Sequence, residues 1–404
     1  LATLGTKNTK YRVGVSFLLL SGSIVGLNWL NLASIFPFIA TDLKLNVPAL
    51  GSMTALFVVG EGLFQIPAAL VAGKYSQKKI IILGTIGASF STLLIGAADS
   101  VAEFELLRFA CAVATAFAYA PGYILIAKYF DRGKEGTATG LFAAAAVSGN
   151  IVALAVDTVL PVYIGWRMTI ALNGVAGLLA GLSLITLPTA PAYEETKIAL
   201  GESYTSFSAI KKIIFDKWIL VICLVLTCLE IGSVVASNFM VYYLEKQLTV
   251  TPAVAGSIAS LLPVLGVIAT ILFGRLYDKF GKARLLMLVS GVICSGGLGI
   301  AAIGNLASAA ITSALVGFGN NAGYVVGVAL AGKIASKERR LEVIGIAWTL
   351  SVSLLASFFA PILFSFLAVS FDYPIAWIGS ALVMFVLLVP VVFVRSDKGK
   401  AEER

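Results

Sequence analysis

Long apolar runs alternate with short polar breaks along almost the whole chain. A helix needs about 20 mostly apolar residues to cross the hydrocarbon core of a bilayer. Runs of that kind predict six spans, at Val13–Ile39, Leu50–Ala72, Ile80–Ala98, Phe104–Tyr129, Thr137–Val159 and Arg167–Leu187. Six more follow, at Trp218–Tyr243, Ala253–Phe273, Leu285–Ile303, Ala307–Ala331, Leu341–Val369 and Pro374–Val394. The longest break, Pro188–Lys217, carries prolines and acidic residues and then the mixed aromatic, apolar and basic run Tyr204–Phe215. It reads as a tether that ends in an amphipathic segment on the membrane surface. The pattern therefore divides the chain into a six-helix bundle at 1–187, a linker at 188–217, and a second bundle with its tail at 218–404.

A repeat supports that division. Gly51-Ser52-Met53 and Gly256-Ser257-Ile258 match at an offset of 205 residues, and so do Lys74 and Lys279, Tyr75 and Phe280, and Lys79 and Arg284. A long repeat inside an apolar chain predicts two homologous halves related by a pseudo-two-fold axis, an architecture of secondary transporters. The second copy reads Gly274-Arg-Leu-Tyr-Asp278-Lys279-Phe-Gly281-Lys282-Ala-Arg284. It resembles the signature loop G-x-L-x-D-[RK]-x-G-[RK]-x-[RK] of the major facilitator superfamily. The first copy departs from that loop, with Ala69, Gly73 and Ser76 where the family has glycine, aspartate and glycine. The resemblance, with Gln65-Ile66-Pro67-Ala68 ahead of the first copy, implies an all-α membrane protein of twelve transmembrane helices. It also implies a central cavity lined by helices 1, 4, 7 and 10.

Composition agrees with a membrane protein. Of 404 residues, 59% are hydrophobic and only 12% charged, against about 25% charged in soluble domains, and the mean hydropathy is +0.97. The opening residues show no signal-peptide cleavage pattern, and the first run is long enough to remain as a span. A net charge of +8 could suggest nucleic acid, but 25 of the 29 Lys and Arg residues fall in breaks on the side of both termini. That is the positive-inside distribution. It predicts a multi-pass protein of the cytoplasmic (inner) membrane with both termini in the cytoplasm, surrounded by lipid and not bound to nucleic acid. No phosphate-binding loop, metal-ligand cluster or nucleophile–histidine pair is present, and the chain has no histidine. Neither an enzyme, a cofactor nor a metal is expected, and any proton coupling falls to carboxylates. Cys111, Cys223, Cys228 and Cys294 all lie in apolar runs and read as small packing residues.

Charges inside the spans are costly and mark functional candidates. Arg108, in the outer half of helix 4, either attracts an anionic solute, tunes a carboxylate, or pairs with a helix carbonyl. Its surroundings, Leu106-Leu107-Arg108-Phe109, resemble the family's helix 4 arginine motif, which implies proton coupling, although Ala112 replaces the motif's glycine. Glu230 lies about 18 Å into helix 7 at the helical rise and suits reversible protonation, or is an acid held by packing. Glu61 lies mid-helix 2, one turn before Gln65, and is as consistent with a structural hydrogen bond as with coupling. Asp157 reads as a rim residue.

Asn28 and Asn31 on helix 1, Tyr119 on helix 4, Asn238 on helix 7, and Asn320, Asn321 and Tyr324 on helix 10 are candidate substrate contacts. Their alternative is interhelical hydrogen bonding, which asparagine does well in lipid. Gating falls to the two loops. Gly274, Asp278, Lys279, Gly281 and Arg284 form one, with Asp278 suited to the N-terminus of helix 5, where the helix dipole favours an anion. Lys74, Lys78 and Lys79 form the other and are expected to pair with Glu342 at the start of helix 11. In Ala146-Val147-Ser148-Gly149-Asn150, helix 5 lacks the proline of the glycine-proline motif that the resemblance associates with drug antiporters.

The expected function is alternating-access transport of a small solute, an organic anion such as a carboxylate, coupled to a proton, by a monomer. The alternatives are a proton-driven exporter of amphipathic compounds and a membrane receptor that does not transport.

Overall fold

The computed structural model describes residues 9–130, 135–188, 207–336 and 342–393. Among these residues it is helical with no strand. The long helices are α1 (Thr9–Asp42), α2 (Val47–Lys74), α3 (Gln77–Ile95), α4 (Val101–Ala127), α5 (Glu135–Ala155), α6 (Trp166–Ser183) and α7 (Lys217–Lys246). The remainder are α8 (Pro252–Phe280), α9 (Ala283–Ile300), α10 (Leu306–Ser336), α11 (Ile344–Ser370) and α12 (Tyr373–Phe393). Ten of the described helices are long and apolar enough to cross a membrane by length and composition, and α4 and α5 are the two outside that set. Two helices depart from the expected continuous rods. α8 is interrupted at Ser260 and α11 at Phe358, each followed three residues later by a proline, Pro263 or Pro361. Proline has no N–H to give and crowds the preceding turn, so a local break is the relaxed solution.

Helix ends are set by local chemistry. Asn46 caps α2 by accepting from the Ala49 N–H. Ser100 and Glu103 form a reciprocal capping box at α4, which satisfies two otherwise orphaned donors. Asp216 accepts from the N–H groups of Trp218 and Ile219 to start α7. Gly281 ends α8 in the left-handed region at φ 64°, a conformation glycine adopts without a Cβ penalty.

Helices pack closely through small residues, as expected where lipid supplies no hydrophobic drive. α1 and α5 cross backbone to backbone. A Cβ on Gly26 would collide with the Ala146 carbonyl, and one on Gly149 with the Ser23 carbonyl. This crossing explains Gly149 of α5, whereas a Cβ on Gly140 would meet open space.

The linker face of the molecule carries the start of α1, the end of α6 and the α2–α3 turn. Gly14 meets Leu187 and Pro188 there, and Lys78 Nζ donates to the Ile185 carbonyl at 2.7 Å. The same face holds the short helix Phe207–Ile214, whose Ile213 reaches Gly345 of α11. That helix falls within the run Tyr204–Phe215, and residues 189–206 lie outside the described residues.

The two sets of helices meet toward the opposite, far face. Phe36 of α1 packs on Tyr242 of α7 with ring centroids 5.5 Å apart, and Lys246 Nζ approaches Thr41 Oγ1 at 3.5 Å. The repeat reappears in three dimensions. Gly51 of α2 lies against Pro361 and Ser365 of α11, and Gly256, 205 positions on, lies against Leu154 of α5 and Thr158 in the turn that follows it. Nearer midspan, Ser351 Oγ of α11 donates to the Gly62 carbonyl of α2 at 2.6 Å. Each of these contacts lies between the far face and midspan.

Candidate functional site

Midway along the spans, α1, α2, α4, α7 and α10 bring together most of the charged and polar side chains expected to act. Arg108 is the best anchored of them. It is 1% exposed. Nη1 donates to the Asn28 carbonyl at 2.7 Å and to Asn31 Oδ1 at 3.1 Å, and Nη2 donates to the Trp29 carbonyl at 3.1 Å. Its guanidinium lies 4.0 Å from the centroid of the Phe57 ring, and Phe57 in turn meets Trp29 edge-on at 5.1 Å. A cation stripped of water is held well by carbonyl dipoles and a ring face. Here those partners belong to α1 and α2, so Arg108 ties three helices together and offers no free donor pair to a solute. Of the readings open for it, pairing with helix carbonyls is the one realised in this conformation.

The helix 1 asparagines join the same knot. Asn31 Nδ2 reaches Asn28 Oδ1 at 3.4 Å, and Thr92 of α3 donates to Asn28 Oδ1 at 2.9 Å. On the other half, Asn320 Nδ2 donates to the Leu229 carbonyl of α7 at 3.1 Å. Asn238 donates to its own helix at Val234 and accepts from Thr54 of α2 at 3.4 Å. Asn321 donates to the Gly317 carbonyl one turn back. All five asparagine side chains thus bond within or between helices, Asn28 through its Oδ1 alone.

The carboxylates are different. Glu61 and Glu230 are 3% and 9% exposed, on opposite halves, and close enough to act on each other electrostatically. Neither forms an ion pair among the described residues. Glu61 Oε1 accepts from Gln65 Nε2 at 3.0 Å, while Glu61 Oε2 and Gln65 Oε1 have no protein partner. Arg108 acts on Glu61 through space. Two acids and one cation share this interior. Asp157 is remote from it, held at 2.6 Å by Asn173 of α6.

Three tyrosines complete the site. Tyr119 and Tyr123, one turn apart on α4, share a hydroxyl hydrogen bond of 3.0 Å, and Tyr324 of α10 faces the same interior. These phenols lie within electrostatic reach of Glu61 and Glu230. Tyr123 was not singled out from the sequence. Its spacing of four from Tyr119 was the available signal, since it sets both on one helix face. Phe57 and Thr92 also lacked any sequence signal, because their partners are remote in the chain.

The loop residues make contacts within their own halves. Lys78 holds the end of α6, Arg284 donates to the Val392 carbonyl of α12, and Lys279 lies over Phe280 at 5.2 Å. Asp278 is exposed and in no ion pair among the described residues, Lys79 is exposed, and a Cβ on Gly274 would meet open space. The Lys74 and Glu342 side chains lie outside the described residues, so the expected pairing of lysines with Glu342 lies outside them too. A cleft of about 740 Å³ opens on the far face. Its Arg167 is taken up by Asp42 at 3.6 Å, Asp99 at 3.5 Å and the Ala98 carbonyl, leaving that cation little to offer a solute.

Comparison with known proteins bears on this arrangement. The family model described as Major Facilitator Superfamily matches residues 18–241 and again 222–404. A cis,cis-muconate transport protein of Acinetobacter baylyi is 22% identical over 284 residues, covering 67% of each chain. A multi-drug resistance efflux pump PmrA homolog of Lactococcus lactis is 28% identical, covering 66% of this chain and 67% of that one. Among solved structures, a bacterial homolog of the human lysosomal transporter Spinster superposes with a TM-score of 0.74 at 17% identity, covering 96% of both chains.

Proposed function

The chain belongs to the Major Facilitator Superfamily of membrane transporters, and on that premise we propose that it is a proton-coupled secondary transporter whose coupling groups are Glu61 and Glu230. One observation carries the reading. Among the described charged groups of the interior, Arg108 commits both Nη atoms to α1 and leaves only its Nε unpartnered, whereas Glu61 keeps one carboxyl oxygen with no partner. A pair of nearby carboxylates in a low-dielectric interior is stabilised by one positive charge placed between them. A proton can supply that charge, and so can a cationic solute. Competition between the two for one site is the physical basis of antiport.

This favours the exporter alternative over the organic-anion symporter. The solute would be an amphipathic organic cation, seated against Tyr119, Tyr324 and the aliphatic walls of α1, α4, α7 and α10. The closed contacts at the far face support a conformer that opens toward the linker face, and the distribution of lysine and arginine supports placing that face in the cytoplasm. The anion reading retains one argument. The Arg108 guanidinium is screened from the interior chiefly by the Phe57 ring, and a shift of α2 would uncover it.

Reconstitution into proteoliposomes separates the two. With an imposed proton gradient, the proposal expects movement of ethidium against the direction of proton flow, lost in Glu230→Gln. Gradient-driven accumulation of muconate, with no ethidium movement, would replace it by the symport reading.

A further inference from the structure

Away from the central site, we propose that the second half binds one anionic phospholipid of the linker-face leaflet. Its headgroup would sit at Lys211 and Lys217 and an acyl chain in a groove between α7, α11 and α12. The inference does not depend on the proton-coupling reading. The groove holds about 410 Å³, within the range of about 300–1,000 Å³ for pockets that take small apolar ligands. Leu220, Phe359 and Leu363 line it and are exposed apolar side chains on membrane-crossing helices, so the groove faces the surrounding lipid. On α7 its wall is Leu220, Leu224, Thr227 and Ile231, the i, i+4, i+7, i+11 spacing of one helix face. From Leu220 to Ile231 it rises about 16 Å at the helical rise. That is roughly half of a hydrocarbon core about 30 Å thick, the depth filled by the chains of one leaflet. The room comes from small side chains. Ala356 and Ala360 of α11, on either side of the interruption at Phe358, and Ser380 of α12 line the groove.

The polar end lies where this groove meets the linker face. Lys217 is one turn before Leu220 on the same side of α7. Helical side chains lean toward the N-terminus, so its stem follows the groove outward and its ammonium leaves the hydrocarbon at the mouth. Lys211 belongs to the short helix Phe207–Ile214, which packs on both α7 and α11. Ile213 of that helix is 2% exposed and meets Gly345, whereas Lys211, Phe215 and Lys217 are exposed. Asp216, the acid among them, is turned into the start of α7 by the N–H groups of Trp218 and Ile219. Basic groups beside exposed aromatic surface at this depth suit an anionic headgroup. A zwitterionic headgroup brings its own cation to the lysines, and an amphipathic cation would meet two like charges at the mouth.

Native mass spectrometry of the purified full chain, titrated in detergent with dioleoyl phosphatidylglycerol or dioleoyl phosphatidylcholine, tests the site. The parent protein is expected to bind one phosphatidylglycerol ahead of all others and more tightly than phosphatidylcholine. Each lysine near an anionic headgroup is worth about fivefold, so Lys211→Ala combined with Lys217→Ala is expected to reduce that preference about twenty-five-fold. Ala356→Trp, at an exposed position in the groove, is expected to abolish the tight binding of either lipid while the thermal midpoint of the lipid-free protein is kept. Equal binding of the two lipids by the parent protein, or a preference that survives the double lysine substitution, overturns the headgroup site. Tight binding that survives Ala356→Trp puts the lipid elsewhere and overturns the groove.

Discussion

Replacing Arg108 by glutamine distinguishes a helix tie from a solute ligand. The substitution removes three donated hydrogen bonds, to Asn28 O, Asn31 Oδ1 and Trp29 O, and the stacking on Phe57. Hydrogen bonds from charged groups contribute about 1.5–3 kcal/mol each in net terms, and a desolvated cation–ring contact about 2 kcal/mol. These gains are offset by the cost of keeping a guanidinium out of water. The backbone carbonyls also retain their own helix partners, so only the Asn31 side chain is left wanting a donor. Breaking a buried charged contact by removing one partner costs about 3–5 kcal/mol, and the lower end fits a site where one acceptor is orphaned. A loss of about 3 kcal/mol lowers the thermal midpoint by on the order of 5 °C. Size-exclusion chromatography after stepwise heating would read this, with Arg108→Lys intermediate because an ammonium can serve fewer of these acceptors at once. If Arg108→Gln melts like the parent protein and instead raises KM for muconate, Arg108 binds solute and the tie is refuted.

Other consequences are simpler to check. Gly149→Val should separate α1 from α5, because even a Cβ there meets the Ser23 carbonyl; overpacking costs about 1–3 kcal/mol, read as a lower thermal midpoint, and an unchanged midpoint would contradict the crossing. Ser351→Leu, aimed at the Gly62 carbonyl 2.6 Å from the native hydroxyl, should hold α2 and α11 apart. Cysteine accessibility at the far face should then rise, while Ser351→Ala leaves it unchanged. Arg167→Ala should cost at most about 1 kcal/mol per ion pair lost, since both carboxylate partners are solvent-exposed, with the loss shrinking in high salt.

The spans were legible because apolar length is a property of contiguous sequence. The repeat was legible too, and its Gly51 and Gly256 prove to occupy equivalent crossings between the halves. The interruptions of α8 and α11 went unread, since Pro263 and Pro361 sit in runs apolar enough to pass as one helix. Within the site, the sequence located Arg108, Glu61 and Glu230 by their charge. It could not assign their partners. Whether Arg108 meets a solute or a carbonyl depends on α1, far away in the chain, and the same holds for each asparagine. The tyrosine series was half visible, with Tyr119 and Tyr324 noticed and Tyr123 passed over as one more aromatic in an aromatic helix. Among the described loop cations, Lys78 and Arg284 hold helix ends within their own halves, a use of basic side chains that any helix C-terminus allows.

The central claim is that one positive charge, proton or solute, occupies the site between Glu61 and Glu230. Proton release on solute binding tests it most directly. Ethidium is added to the purified protein in weakly buffered detergent solution containing a pH dye. The account predicts acidification that saturates with binding and disappears in both Glu61→Gln and Glu230→Gln. Proton uptake on adding muconate, unchanged in both glutamine variants and with no release on adding ethidium, would contradict it.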